Sequence, residues 1–315
     1  MHDVLTTGPG SSEKVFLTDG GLETTLIFLE GWDLPSFAAF DLLKGEAGTK
    51  ALKDYYLRYL NIAKEHDFDF ILETPTWRAN PDWVEKVGYS RSETSAINQK
   101  AAGLMHELKK EFSNDIDNIF VSGCIGPRGD GYSAETNMTA EEARAYHSEQ
   151  VQAFRDAEVD LISAITMTNF EEATGVALAA NDANMPVVIS FTVETDGKLP
   201  SGASLKDAIE SVDRAADTQP IYYMINCAHP AHFADVLDLA KGQPWTTRIK
   251  GLRSNASKKS HAELDESTEL DRGDLQEFGS EHKRLAGIFS DLSVFGGCCG
   301  TDDEHVLEIA KNLRA

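Results

Sequence analysis

The sequence is poor in cations, poor in cysteine and free of long apolar runs, and each shortage excludes something. Its 29 Lys and Arg face 52 Asp and Glu, a formal charge of −23. A surface of that sign repels phosphate backbones and anionic headgroups, so neither nucleic acid nor a membrane surface is an expected partner. No stretch approaches the roughly 18 consecutive apolar residues of a bilayer span. The opening MHDVLTTGPGSSEKV has no basic-then-apolar secretion pattern, and the expected compartment is the cytoplasm. Four cysteines (Cys124, Cys227, Cys298 and Cys299) in 315 residues do not make a secreted disulfide framework, which leaves them for metal or chemistry. No Pro/Gly/Ser-rich linker, low-complexity tract or solenoid repeat divides the chain, so one domain is expected over residues 1–315. No GxGxxG follows the first strand, which removes the main support for a dinucleotide-binding sheet.

What the sequence does contain is an alternation. Short β-rich runs are followed by longer Ala/Leu/Glu-rich amphipathic stretches. The runs are Val15–Asp19, Phe68–Glu73, Ile119–Gly123, Leu161–Thr166, Pro186–Val193, Ile221–Cys227, Arg248–Arg253 and Leu292–Gly297. Most are apolar almost throughout, as parallel strands covered on both faces are. Helices are predicted over Ala143–Ala157, with Thr139 and Glu142 as a capping box, and over Ala203–Ala216, with Ser204 and Asp207 in cap-like places. A last helix is predicted over Asp302–Leu313, opened by Thr301 and Glu304. Eight βα units predict a (β/α)8 TIM barrel, whose active site sits at the C-terminal ends of the strands and in the loops that follow.

All four cysteines fall at such ends. Cys298 and Cys299 are adjacent and framed by Gly296, Gly297 and Gly300, and strand six delivers Cys227. Strands six and eight of a closed barrel are separated by one strand, so three sulfurs can converge over the mouth. Three thiolates with an open fourth position suit a catalytic zinc site, and soft sulfur selects zinc, copper(I) or iron–sulfur clusters over magnesium and calcium. A buried apolar role for each cysteine, a disulfide of the vicinal pair and an iron–sulfur cluster are the competing readings of the same residues. Strand ends carrying no HxH pattern do not favour a His/Asp metallohydrolase. If zinc is bound, three thiolates make it a poor activator of water but a good binder of a substrate thiol, which loses its proton on coordination. Such a sulfur attacks an electrophilic carbon, most simply a methyl group on a cationic donor.

Several motifs then resemble one family. TDGGLETTL at 18–26, ETPTW at 73–77, NC at 226–227 and GGCCGTD at 296–302 are similar to the homocysteine S-methyltransferases. SFTVETDGKLPSG at 190–202 and SHAELDESTELDRGD at 260–274 are similar to one bacterial branch of them. The resemblance runs over nearly the whole chain. It implies a (β/α)8 barrel, one catalytic Zn2+ and methyl transfer to homocysteine giving methionine. It implies Cys227, Cys298 and Cys299 as zinc ligands and catalytic residues. Asp19, Gly20 and Gly21 are implied to line the amino-acid pocket, and backbone N–H groups after strand one can hold a carboxylate. Glu73 and Thr74, with Thr76, fall on the second-strand motif, and Asn226 is implied to orient the substrate or the ligand beside it.

The resemblance breaks after strand four. Where many members carry Phe-Glu-Thr, whose Glu recognises the substrate amine, this sequence reads Ala164-Ile165-Thr166. Either Glu23, which stands where a small residue is common, or Glu73 takes over the amine, or the acceptor is another thiol or a selenol. A barrel that binds zinc and thiol without turnover is the third reading. The chain ends soon after Cys299, which predicts no folate, cobalamin or reactivation domain and a small methyl donor, S-methylmethionine before betaine. Small molecules are thus the expected partners, with an oligomer compatible. His229 is read as a loop histidine with ligand or base as the alternative, and Cys124 as a small buried hydrophobe. Arg128 and Asp130 are read as substrate-binding or paired with each other, and Trp77 and Trp83 as packing or facing a cationic donor. The charged run Lys258–Asp274 is read as a solvated excursion with a lid role.

Overall fold

The computed structural model describes residues 2–9, 14–133, 138–216, 218–267 and 269–315. Eight strands, β1 Phe16–Leu17, β2 Asp69–Glu73, β3 Ile119–Ile125, β4 Leu161–Met167, β5 Val187–Thr192, β6 Tyr222–Asn226, β7 Ile249–Ser254 and β8 Val294–Gly297, each pair in parallel with the next. β8 returns to β1 through Phe16↔Val294 and Leu17↔Phe295, which closes the expected (β/α)8 barrel. The ends depart from the sequence reading by one or two residues.

Neighbouring residues on one strand enter two different cores, which is why the runs are apolar throughout. Leu17, Phe70, Leu72, Val121 and Phe295 belong to the outer core packed under the helices. Phe16, Ile71, Phe120, Leu161, Val188, Met224 and Val294 fill the barrel, and Val4 of the helix His2–Thr7 joins them. Two positions further along, on the same inward face, the residues become Thr18, Glu73, Ser122, Ser163, Ser190 and Asn226, all buried. The floor is apolar and the layer beneath the mouth is polar. This polar layer positions the site.

The helix caps follow the sequence with one correction. Thr139 and Glu142 form a reciprocal box, although the helix starts at Ala140, earlier than read. Ser204 accepts from the Asp207 N–H and opens Leu205–Ala215. At the C-terminal helix Asp303–Arg314 the N-cap is Asp302, whose N–H donates to His305 Nδ1 at 3.2 Å, and not Thr301 with Glu304. Thr301 is used elsewhere: its hydroxyl donates to the Cys298 carbonyl at 2.6 Å and folds the glycine–cysteine loop back on itself. Among the described residues, no helix is long and apolar enough to cross a membrane.

Candidate active site

The sulfur atoms of Cys227, Cys298 and Cys299 all lie within 4.8 Å of one another. Barrel closure alone accounts for this convergence. Cys227 N–H donates to the Arg253 carbonyl at 3.2 Å and Cys298 N–H to the Ser254 carbonyl at 2.8 Å, so β7 ties the two loops together. Backbone strain aims the sulfur: Cys227 has φ of 50° and Thr166, at the end of β4, 65°, both in the left-handed region that side-chain-bearing residues avoid. The β4–β5 register shifts between Ala164 and Met167 at the same place, and such bulges re-aim side chains. Gly21 is needed for close approach, since a Cβ there would run into the Thr24 hydroxyl and the Cys298 carbonyl. The sulfurs of Cys227 and Cys298 are in contact, and the half-buried Cys299 stands beside them with its sulfur against the Tyr132 hydroxyl. Cys298 faces Cys227 and not its neighbour Cys299, so the vicinal disulfide weighed from sequence is not formed. As thiolates, the three convergent sulfurs at a cavity wall are a donor set that fits zinc with an open position.

The cavity has a volume of about 190 Å³, the scale of a small molecule. The three cysteines, Asp19, Gly20, Gly21, Glu23, Glu73, Thr74 and Ile165 all border it. Asp19 is fully engaged by the protein: Arg253 Nη2 donates to Oδ1 at 2.6 Å and the Tyr55 hydroxyl to Oδ2 at 3.1 Å. Burial raises its pKa, and Arg253 opposes the rise. Arg253 Nη1 also stands 4.0 Å from Glu73 Oε1. The Glu73 Oε2 atom is buried without a hydrogen-bond partner. Burial, against the pull of Arg253, pushes the Glu73 carboxyl up to about 7. Burial, reinforced by Asp19, does the same to Glu23, also to about 7. Burial lowers the Arg253 guanidinium, but Asp19 and Glu73 outweigh it and its pKa rises. The cavity thus carries more carboxylate than guanidinium, and Ile165 stands where the family's amine-binding Glu was sought.

Other sequence expectations are relocated. Asn226 is fully buried behind the cavity wall; it accepts from Thr166 N–H at 3.0 Å and Ser190 Oγ at 2.6 Å, and donates to Thr166 Oγ1 at 2.8 Å. Its contacts orient the strained β4 end, and Nδ2 also reaches Cys298 Sγ at 3.9 Å, so it touches one of the three sulfurs directly. Gly21 N–H donates to the Thr301 carbonyl at 3.0 Å, so this amide is not available to a carboxylate. The Thr76 hydroxyl donates to the Cys124 carbonyl at 2.7 Å, which makes the Thr74 hydroxyl, 2.6 Å away, the donor to Thr76. Arg128 and Asp130 do not pair with each other: Arg128 Nε meets Asp82 at 2.7 Å, and Arg78 Nη2 meets Asp130 at 3.7 Å. The Arg78 guanidinium also covers the rings of Trp77 and Trp83, at 4.2 and 3.8 Å, which occupies the aromatic faces considered for a donor. His229 caps the helix Pro230–Leu239 by accepting from Ala231 N–H, and burial pushes it down to about 4. Cys124 is buried on β3, and burial raises its thiol far above the ordinary range. The residues that sequence reading missed are Arg253, Tyr132 and His261. Tyr132 and His261 carry no periodic or spacing signal.

Comparisons with known proteins agree with this geometry. Residues 16–313 match the family model described as homocysteine S-methyltransferase. Homocysteine S-methyltransferase 1 of Arabidopsis thaliana is 24% identical over 95% of this chain and 93% of its own length. Betaine-homocysteine S-methyltransferase of Drosophila melanogaster is 24% identical over 76% of this chain and 78% of its own. The fold matches the crystal structure of the metallated homocysteine methyltransferase MmuM from Escherichia coli, with a TM-score of 0.72 at 18% identity, covering 96% of this chain and 97% of that one. With a closed barrel, a three-cysteine centre at its mouth and a family match over nearly its whole length, this chain is a methyltransferase that belongs to the homocysteine S-methyltransferase family.

Proposed function

We propose that this chain, as a single catalytic domain over residues 1–315 in the cytoplasm, transfers a methyl group from a small cationic donor to the thiol of homocysteine, giving methionine. Cys227, Cys298 and Cys299 would hold one Zn2+, and the observation that carries this reading is their convergence within 4.8 Å at the cavity wall. Zinc bound there would supply the acidity that keeps the acceptor thiol deprotonated at neutral pH.

The chain's own residues provide the rest. The strained ends of β4 and β6, held by Asn226, present the Cys227 sulfur to the cavity. Asp19, fixed by Arg253 and Tyr55, forms its charged floor with Gly20, Gly21 and Thr74 around it. Glu73 and Glu23 take the role of the missing strand-four carboxylate, with the unpartnered Glu73 Oε2 as the seat of the acceptor ammonium. In the transfer, the acceptor sulfur forms the new S–CH3 bond while the donor's bond to that methyl breaks and its electron pair stays on the donor. The thiol proton leaves to solvent. S-methylmethionine is favoured over betaine because a neutral thioether leaves more readily than a tertiary amine. The excess carboxylate around the cavity favours S-methylmethionine, net positive at neutral pH, over betaine, whose own carboxylate leaves it without net charge.

The test is methionine formation by reduced, zinc-loaded protein from homocysteine with each donor. S-methylmethionine is expected to support turnover and betaine less. No methionine from either, at one equivalent of bound zinc, would count against this reading and turn it to another thiol or selenol acceptor or to a barrel that binds zinc and thiol without turnover. Ile165 in the cavity wall would then favour a thiol or selenol lacking the amine.

A further inference from the structure

Three loops meet above the sulfur centre in contacts that the methyl-transfer reading does not use. His261, in the excursion after β7, is buried and starts the short helix His261–Asp265, which Ser260 and Glu263 cap reciprocally. Its Nε2 lies 2.7 Å from the Cys227 carbonyl oxygen. A carbonyl can only accept, so Nε2 carries the hydrogen. Its Nδ1 lies 3.1 Å from Oε1 of Glu194, in the loop after β5. The imidazole stacks on the Tyr132 ring, with centroids 4.2 Å apart and planes at 21°. Tyr132, in the loop after β3, places its hydroxyl 3.1 Å from Cys299 Sγ.

We propose that Tyr132, clamped by His261 and Glu194, is a positioning residue that sets the orientation and electron density of the Cys299 sulfur. This rests on the reading of the three cysteines as a metal-binding thiolate set. Its physical basis is that one stack touches two of the three ligands, Cys227 through its carbonyl and Cys299 through its sulfur. The ring pair therefore fixes the spacing between strand ends that share no direct backbone hydrogen bond in the stack. With Cys299 as a thiolate, the phenol is the donor, and an O–H···S bond draws charge from that sulfur. Groups in this position orient metal ligands and change affinity by about 10- to 100-fold when removed. His261, within the charged run after β7, thus contributes a specific latch. Tyr132 also borders the cavity, so the same residue couples the sulfur to the substrate chamber.

The experiment compares wild type, Tyr132→Phe, His261→Ala and Glu194→Gln, all reduced and reconstituted with Co2+ or Zn2+. Tyr132→Phe keeps the ring and loses only the hydroxyl. Its thiolate-to-cobalt charge-transfer band is expected to move to longer wavelength, because the sulfur regains charge. Its zinc dissociation constant, from chelator competition, is expected to rise about 10-fold. His261→Ala should reproduce the band shift although Tyr132 is intact, and Glu194→Gln should do so in part. In turnover, kcat should fall while KM for homocysteine stays within about twofold. Unchanged cobalt spectra and zinc affinity in both Tyr132→Phe and His261→Ala, with metal bound, would overturn the latch while leaving the centre standing. Wild-type protein that takes up neither metal would overturn the centre and the latch together.

Discussion

Replacing Glu73 by Gln separates the amine-binding reading from a purely structural one, because it predicts opposite signs for binding and stability. Glu73 Oε2 is buried and unpartnered, and burial holds the carboxyl near 7. An acid whose folded pKa lies above its unfolded value, near 4.5, binds its proton more tightly when folded. Its stabilising contribution is full below about 4.5 and is lost as pH rises through about 7. Ionising Glu73 in the empty protein therefore costs about 3 kcal/mol by pH 8. Glu73→Gln removes that cost, so the metal-loaded, substrate-free variant should be more stable than wild type at pH 8 and similar at pH 4.5. Urea denaturation at the two pH values reads the difference.

Binding should move the other way. A buried charge-assisted hydrogen bond contributes about 1.5–3 kcal/mol, so homocysteine should bind roughly 10- to 150-fold more weakly to Glu73→Gln. The assay is calorimetric titration of zinc-loaded protein with L-homocysteine and with 4-mercaptobutyrate, which is homocysteine without its amine. Wild type should prefer homocysteine and the variant should lose most of that preference, since the analogue never uses Glu73. A preference that survives in Glu73→Gln but vanishes in Glu23→Gln would move the seat to Glu23. A preference that survives in both would refute the reasoning.

Other perturbations test the remaining parts of the site. Arg253→Met leaves Asp19 buried beside Glu73 with no cation, and should cost about 3–5 kcal/mol by denaturation; a loss below about 1 kcal/mol would refute a buried pair. Cys227→Ala, Cys298→Ala and Cys299→Ala should each fall well below one equivalent of zinc by elemental analysis, whereas Cys124→Ala should keep full zinc; retention in any of the first three removes that residue from the ligand set. Adding Ile165→Glu to Glu73→Gln places a carboxylate back at the β4 end, and should restore part of the homocysteine-over-mercaptobutyrate preference in the same calorimetric assay.

The barrel was legible because its strands are buried on both faces. Phe16 and Leu17 are adjacent in sequence yet enter different cores, so the run is apolar and stands out between amphipathic helices. The cysteine centre was legible for a related reason: each of the three cysteines follows a strand end, and barrel closure brings those ends together. What could not be read is contact between loops. Tyr132 and His261 are far apart in sequence, obey no period and meet only because β3 and β7 face each other across the mouth. The sequence leaves Asn226 between orienting the substrate and orienting the cysteine beside it; strand alternation turns its side chain inward to Thr166 and Ser190, within reach of the Cys298 sulfur.

Arg253 is the more instructive omission, because the signal was present. At a strand terminus a cation ordinarily reads as the point where the chain reaches solvent. Parity says otherwise. In β7, Leu252 packs in the outer core and Lys250 is partly exposed, so Gly251 and Arg253 lie on the inward face. On that same face β2 ends in Glu73, and Asp19 lies just past the end of β1, two buried carboxylates whose burial is costly without a compensating charge. Among the eight strand runs read from sequence, Arg253 is the cation at a C-terminal end. Charge balance inside a closed barrel therefore required what the strand-by-strand reading passed over. The 2.6 Å contact between Arg253 and Asp19 is the form that requirement takes. On the proposed reading, β7 thus helps set the cavity's selectivity: with Asp19 paired to Arg253, Glu73 and Glu23 are the carboxylates left to meet an ammonium group.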